Sequence, residues 1–270
     1  NDYSPDGADK QFAVLNADDA ASSYFESVTA APVITYGILN EADIRASDIQ
    51  VTPKGTEFTV HTFAGDARVQ MKLVGKFNVY NALSAIAATL LEGVPLSDIL
   101  HSLERVDVVA GRMEAVKTGQ PYLVLVDYAH TPDGIENALS TIKEFARGKI
   151  ITVFGCGGDR DRAKRPIMGN IAAKYSDYVF VTSDNPRTEE PFSILKEIEP
   201  GVLEAGYEQD QYELIVDRKS AIEKAVEMAS QEDVVLIAGK GHETYQLIGD
   251  KTYDFDDRQV ARQAIRRVSL

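Results

Sequence analysis

From about Gly111 onward, apolar residues come in short unbroken runs separated by amphipathic stretches. The runs are "YLVLVDYA" (122–129), "IITVFG" (150–155), "YVFVTS" (178–183), "YELIV" (212–216) and "VVLIAG" (234–239). Continuous apolar runs of this length are expected for strands covered on both faces. Between and after them, residues 132–146, 166–176, 191–206, 218–230 and 256–268 carry apolar positions at helical spacing. Strand–helix alternation of this kind predicts an α/β fold: a doubly wound, mostly parallel, Rossmann-like sheet with right-handed crossovers. This domain is expected over residues 111–270.

Residues 1–110 read differently. "QFAVLN" (11–16) and "VITYG" (33–37) predict short strands, with a helix from Asp19 between them. From Asp43 to Leu73, stretches such as "EFTVHTF" and "ARVQMKL" are separated by "PKG" and "AGD", the punctuation of β-hairpins. In "NVYNALSAIAATLLEG" (78–93), Val79, Leu83, Ile86 and Leu90 fall three or four apart, which predicts a helix stopped at Gly93. A second short helix is predicted in "PLSDILHSLERV", opened by Pro95. Two domains are therefore expected, with the boundary near Ala110–Gly111.

Charge narrows the partners. The formal net charge is −14, so a broad basic footprint for nucleic acid is missing. A local basic site for a phosphorylated small molecule stays open. Cys156 is the only cysteine, so no intrachain disulfide forms, and a reducing, cytoplasmic setting is expected. No apolar run approaches the roughly 20 residues of a membrane helix, and "NDYSPDGADK" at the start does not resemble a signal peptide.

In doubly wound sheets ligands bind beyond the carboxyl ends of the strands. The loops found there are rich in glycine and charge. Asp127 and His130 follow the first strand, "GCGGDRDRAKRP" (155–166) the second, "DNPR" (184–187) the third and "GKGHE" (239–243) the fifth. In the second loop, glycines allow a tight turn, and Arg160, Arg162, Lys164 and Arg165 offer guanidinium and ammonium groups for carboxylate or phosphate. The same loop also reads as a self-neutralising cap on the helix expected near Pro166. Asp127 reads equally as a helix-start acid, His130 as a packing residue, "GKGHE" as a plain turn into a hairpin, and Cys156 as a small residue beside glycines.

Taken in order, "AVLNADD" (13–19), "GKFNVYNALSAIAA" (75–88), "GRMEAV" (111–116), "VDYAHTPDGIENAL" (126–139), "VFGCGGDRDRAKRPIMG" (153–169), "TSDNPRTEEP" (182–191) and "AGKGHETYQ" (238–246) resemble the Mur ligases. The likeness is strongest to the branch that adds meso-diaminopimelate to UDP-N-acetylmuramoyl-L-alanyl-D-glutamate. It implies ATP and Mg2+ as cofactors, an acyl phosphate formed on the D-glutamyl carboxylate, and amide formation in peptidoglycan synthesis. It also implies that Asp184, Asn185, Pro186 and Arg187, with Arg160, Gly239 and Glu243, bind meso-diaminopimelate. In that scheme Asp184 and Asn185 take the distal ammonium, and Arg187 and Arg160 the distal carboxylate. Asn78 and Asn81 are implied on the adenine side, and Arg112, Asp127 and His130 as further nucleotide contacts.

A lysine-adding relative has no distal carboxylate for Arg187 to bind. That branch, a folylpolyglutamate synthase-like ligase and a non-catalytic amino-acid-binding module are the competing readings. None of the 270 residues forms a G-x-x-x-x-G-K-[ST] phosphate loop. The resemblance therefore implies the tail of the central ATPase domain followed by the complete C-terminal domain, a monomer inactive by itself. No catalytic residue or metal ligand is assigned within the chain.

Overall fold

The structure is a computed structural model that describes residues 11–107 and 109–268; the opening "NDYSPDGADK" lies outside the described residues. The chain divides into two compact units between residues 107 and 108.

In the first unit, β1 (Ala13–Asn16), β2 (Val33–Gly37), β3 (Ile44–Thr52), β4 (Gly55–Thr62) and β5 (Gly65–Met71) form one sheet in sequence order. The first three strands are parallel, and β3–β4–β5 is the antiparallel meander that the hairpin punctuation predicts. Period-two alternation puts Phe58 and Val60 of β4 and Val69 and Met71 of β5 into the core. They meet Val79, Leu83, Ile86 and Leu90 of α2 (Lys76–Leu91), so the three-and-four spacing is the buried stripe. Ile99 joins this core from α3 (Leu96–Arg105).

The helix expected from Asp19 begins later, as α1 (Ser22–Val28). The Asp19 carboxylate accepts the amide of Ala21 and its carbonyl accepts that of Ser22, so the acid closes a turn ahead of the helix. Asp18 ties three segments together. It accepts the amides of Ile38, Leu39 and Asn40 and the Tyr80 hydroxyl at 2.6–3.0 Å. Burial pushes its carboxyl up, but these donors outweigh burial and hold it below the usual range.

The second unit holds a six-stranded sheet. Its strands are β6 (Glu114–Ala115), β7 (Leu123–Asp127), β8 (Ile150–Phe154), β9 (Tyr178–Thr182), β10 (Tyr212–Ile215) and β11 (Val234–Ala238). The spatial order is β10-β9-β8-β11-β7-β6, parallel throughout except for the edge strand β6. The helices are α4 (Pro132–Phe145), α5 (Lys164–Tyr175), α6 (Pro191–Glu204), α7 (Arg218–Met228) and α8 (Asp257–Val268). On one face Val124, Val126, Ile151, Val153, Phe180, Val235 and Ile237 pack against Ala221, Ile222, Ala225 and Val226 of α7 and Ala261, Ala264 and Ile265 of α8. α4, α5 and α6 pack side by side and against the sheet.

The chain steps outward from β8 to β10, then returns to lay β11 between β8 and β7. The strand order reverses there, so the crevice expected of such sheets opens at the carboxyl ends of β7, β8, β9 and β11. A hairpin of β12 (Tyr245–Ile248) and β13 (Lys251–Asp254) follows β11.

Candidate functional site

At the end of β9 the chain runs through Ser183, Asp184, Asn185, Pro186 and Arg187. Asp184 and Asn185 are both buried. The Asp184 Oδ2 atom is buried and has no hydrogen-bond partner among the described residues, a costly state for a polar atom unless a ligand completes it. Gly239 makes room for it. A Cβ there would lie 2.6 Å from Asp184 Oδ2, at a φ of +120° that side chains rarely adopt. Asn185 is fully engaged at its carbonyl: Oδ1 accepts Lys240 Nζ and the Leu247 amide, each at 3.0 Å. Its amide group donates to Glu243 Oε2 at 3.0 Å.

The glycine loop after β8 is fastened to this turn. Gly158 N donates to Asn185 O at 2.9 Å, and a Cβ on Gly158 would sit 1.9 Å from Pro186 O, so a side chain there would force the loops apart. Asp159 accepts the Thr188 hydroxyl at 2.7 Å and its amide at 3.1 Å. On the other side Arg187 N donates to Leu247 O, and Gly249 N donates to Arg187 O. Arg187 holds a left-handed φ of 53° within this bracing. Its Nη1 donates to the carbonyls of Gly158 and Asn185. Among the described residues Arg160 donates only to Asp159 O. Gly157 lies against both arginines: a Cβ there would be 2.9 Å from Arg187 Nη1 and 3.7 Å from Arg160 Cγ. Among the described residues neither guanidinium forms an ion pair.

Arg162 and Arg165 of the same loop are spent on acids. Arg165 is wholly buried and pairs with Glu189 at 2.8 Å and Glu197 at 2.7 Å, and Arg162 pairs with Glu197. The Arg165 hydrogen bond draws the Glu189 carboxyl down to about 2. Lys164 donates to His130 O at 2.8 Å. Beyond Arg160, therefore, the loop is anchored through the ion pairs of Arg162 and Arg165.

At the end of β7, Asp127 accepts the amide of Met113 at 2.7 Å and that of Ala129 at 2.8 Å. Burial nonetheless raises its carboxyl above the usual range. The Arg112 guanidinium lies 4.7 Å from the centre of the Tyr128 ring, and His130 and His242 flank that ring at 4.6 and 5.1 Å. Asn78 and Asn81 lie in the first unit, one turn apart on α2. Asn78 donates to Val74 O and accepts from Asn81 Nδ2. Asn78 is thereby tied into its own helix, while Asn81 is exposed.

Several supporting residues carry no readable sequence signal. Arg218 and Asp257 form a fully buried ion pair, 39 positions apart. Arg218 also donates to Ser183 O and Ala238 O, the carbonyls just before Asp184 and Gly239. Tyr128 was readable as an aromatic between Asp127 and His130, and only its ring contacts single it out. Burial pushes the Cys156 thiol up to about 12, and its Sγ lies 3.7 Å from the Met168 sulfur, so it is a packed core group. Among the described residues, no group of three or more His, Cys, Asp or Glu side chains is placed to hold a metal ion. No helix among them is long and apolar enough to cross a membrane.

Comparison with known proteins decides the family. Residues 111–241 match the Mur ligase glutamate ligase domain, and residues 5–89 match the Mur ligase middle domain. The chain belongs to the Mur ligase family. It is 53% identical over 254 residues to a UDP-N-acetylmuramoyl-L-alanyl-D-glutamate–2,6-diaminopimelate ligase of Halalkalibacterium halodurans, covering 94% of this chain and 51% of that protein. The same-named ligase of Geobacillus thermodenitrificans is 52% identical over 256 residues, covering 95% of this chain and 52% of that one. A solved structure bearing the same ligase name superposes with a TM-score of 0.64 at 35% identity, covering 96% of this chain and 54% of that one. A UDP-N-acetylmuramate-alanine ligase from Thermotoga maritima shares the Mur ligase fold at a TM-score of 0.67 and 21% identity. The chain spans about half the length of the curated relatives it matches.

Proposed function

We propose that this Mur ligase chain is part of a cytoplasmic, ATP-dependent acid–amino-acid ligase. In this reading it adds meso-2,6-diaminopimelate to UDP-N-acetylmuramoyl-L-alanyl-D-glutamate during peptidoglycan synthesis. The first unit is the later part of the ATP-binding middle domain, and the second presents the added amino acid. The carrying observation is the pairing of unspent groups at one set of strand ends. Among the described residues Arg160 and Arg187 have no acidic partner, and Asp184 Oδ2 has no donor. Two guanidinium groups suit a carboxylate, and a buried acid oxygen suits an ammonium. An amino-acid head group carries both.

The fit to ATP is partial within this chain. ATP, with Mg2+, supplies the phosphoryl group that activates the acceptor carboxylate. Arg112, stacked on Tyr128, and exposed His130 are suited to phosphate or ribose oxygens, and exposed Asn81 offers a carbonyl to an exocyclic amine. Asp127 braces the strand end through the two amides it accepts. Titration calorimetry of this chain with meso-diaminopimelate and with L-lysine tests the reading. Heat of binding for diaminopimelate and none for lysine at equal concentration is expected. Equal binding of both, or binding of neither, contradicts it.

A further inference from the structure

We infer that Lys240 is a positioning residue for amino-acid selection: its buried ammonium fixes the Asn185 amide and the Glu243 carboxylate so that Glu243 Oε1, together with Asp184 Oδ2, receives the distal amine. This deepens the proposed function and rests on diaminopimelate being the added amino acid.

Lys240 sits between Gly239 and Gly241, at φ values of +120° and +53°, in the loop leaving β11. Those two backbones turn the side chain inward, and it is completely buried. A buried ammonium must be paired and hydrogen-bonded. Lys240 Nζ reaches Asn185 Oδ1 at 3.0 Å and Glu243 Oε2 at 3.1 Å, and lies 5.6 Å from the centre of the Tyr245 ring. These contacts dictate the amide's orientation. Lys240 Nζ and Leu247 N can only donate, so the atom facing them is the Asn185 oxygen. The Glu243 carboxylate can only accept, so the Asn185 nitrogen faces it.

Two consequences follow for the ligand. Both lone pairs of the Asn185 oxygen are occupied by donors of the chain, so this carbonyl is not an acceptor for an incoming ammonium. The two donors reaching Glu243 both land on Oε2. Among the described residues Oε1 accepts nothing, and the side chain keeps 16% exposure. Glu243 Oε1 and Asp184 Oδ2 are therefore the open anionic oxygens of the cluster. Asn185 and Lys240 hold the carboxylate from behind, and Lys240 places an opposite charge 3.1 Å from Oε2.

The test compares two ligands on the 270-residue chain by titration calorimetry. One is meso-diaminopimelate. The other is 2-aminopimelate, which keeps both carboxylates and one amine but lacks the distal amine. The wild-type chain is expected to prefer diaminopimelate. In Lys240→Met the preference should shrink by about tenfold or more, the scale of a lost charge-assisted hydrogen bond, with 2-aminopimelate binding nearly unchanged. Lys240→Gln keeps a donor for Asn185 without the charge and should lose the same preference, so it serves if the Met variant fails to fold. A folded variant that keeps the wild-type preference, or weakens both ligands in parallel, overturns the positioning role. A wild-type chain that binds neither ligand overturns the diaminopimelate reading itself, and this inference with it.

Discussion

Arginines 160 and 187 differ from arginines 162 and 165 in one respect that decides their roles: who owns their charge. Arg162 and Arg165 are matched by Glu189 and Glu197. Among the described residues Arg160 and Arg187 donate only to backbone carbonyls. One residue separates Arg160 from Arg162, yet among the described residues Arg162 has an acidic partner and Arg160 has none. A guanidinium with its own carboxylate has no charge left to recognise one. A guanidinium held by carbonyls is oriented without being neutralised.

The contrast breaks most forcefully at Arg165. Arg165→Met leaves two acids without their buried partner and should cost about 3 kcal/mol of stability, read as a shifted urea midpoint. The acid limb should change with it. Glu189 is depressed from 4.5 to about 2 by Arg165. Its contribution is complete above the ordinary value and is lost as the pH falls towards 2. Wild-type stability should therefore drop across that window, and the variant's should drop less. An unchanged acid limb in Arg165→Met would show that the ion pair does not hold the loop.

Neighbouring glycines sharpen the same comparison. Gly158→Ala drives a Cβ into the Pro186 carbonyl and should cost about 2 kcal/mol through forced backbone shifts, with ligand binding lost as a by-product. Gly157→Ala presses on the movable end of Arg187 at 2.9 Å and makes only ordinary contact with the Arg160 stem and Asn185 O. Its stability should stay within about 0.5 kcal/mol of wild type, while diaminopimelate affinity falls because the methyl enters the space between the two arginines. Melting curves and calorimetry on the pair separate the outcomes. Equal melting temperatures for both variants would contradict the close approach at Gly158.

The strands and helices of residues 111–270 were legible because unbroken apolar runs and helical spacing are local signals. The insertion of β11 between β8 and β7 was not, because strand order depends on pairing between distant segments. β6, two residues long, was too short to show a period. The strand-end loops were legible as a group, and Asp184, Gly239, Arg160 and Arg187 do converge. What spacing could not show was which charges were already spent. Arg165 and Glu189 are 24 positions apart, and Arg218 and Asp257 are 39 apart. Nor could spacing show the partners of Asn185, whose side-chain oxygen accepts Lys240 Nζ and the Leu247 amide.

The central claim is that Arg187 keeps its charge for the ligand's distal carboxylate. The measurement that tests it most directly is the ratio of diaminopimelate to L-lysine affinity in wild type and in Arg187→Ala. Losing the charged partner should weaken diaminopimelate by about 2–5 kcal/mol, or about 30- to several-thousand-fold, while lysine, which has no distal carboxylate, changes little. The ratio should therefore collapse at a nearly unchanged melting temperature. Parallel losses for both ligands, accompanied by a lower melting temperature, would show that the turn is structural and that Arg187 does not select the amino acid.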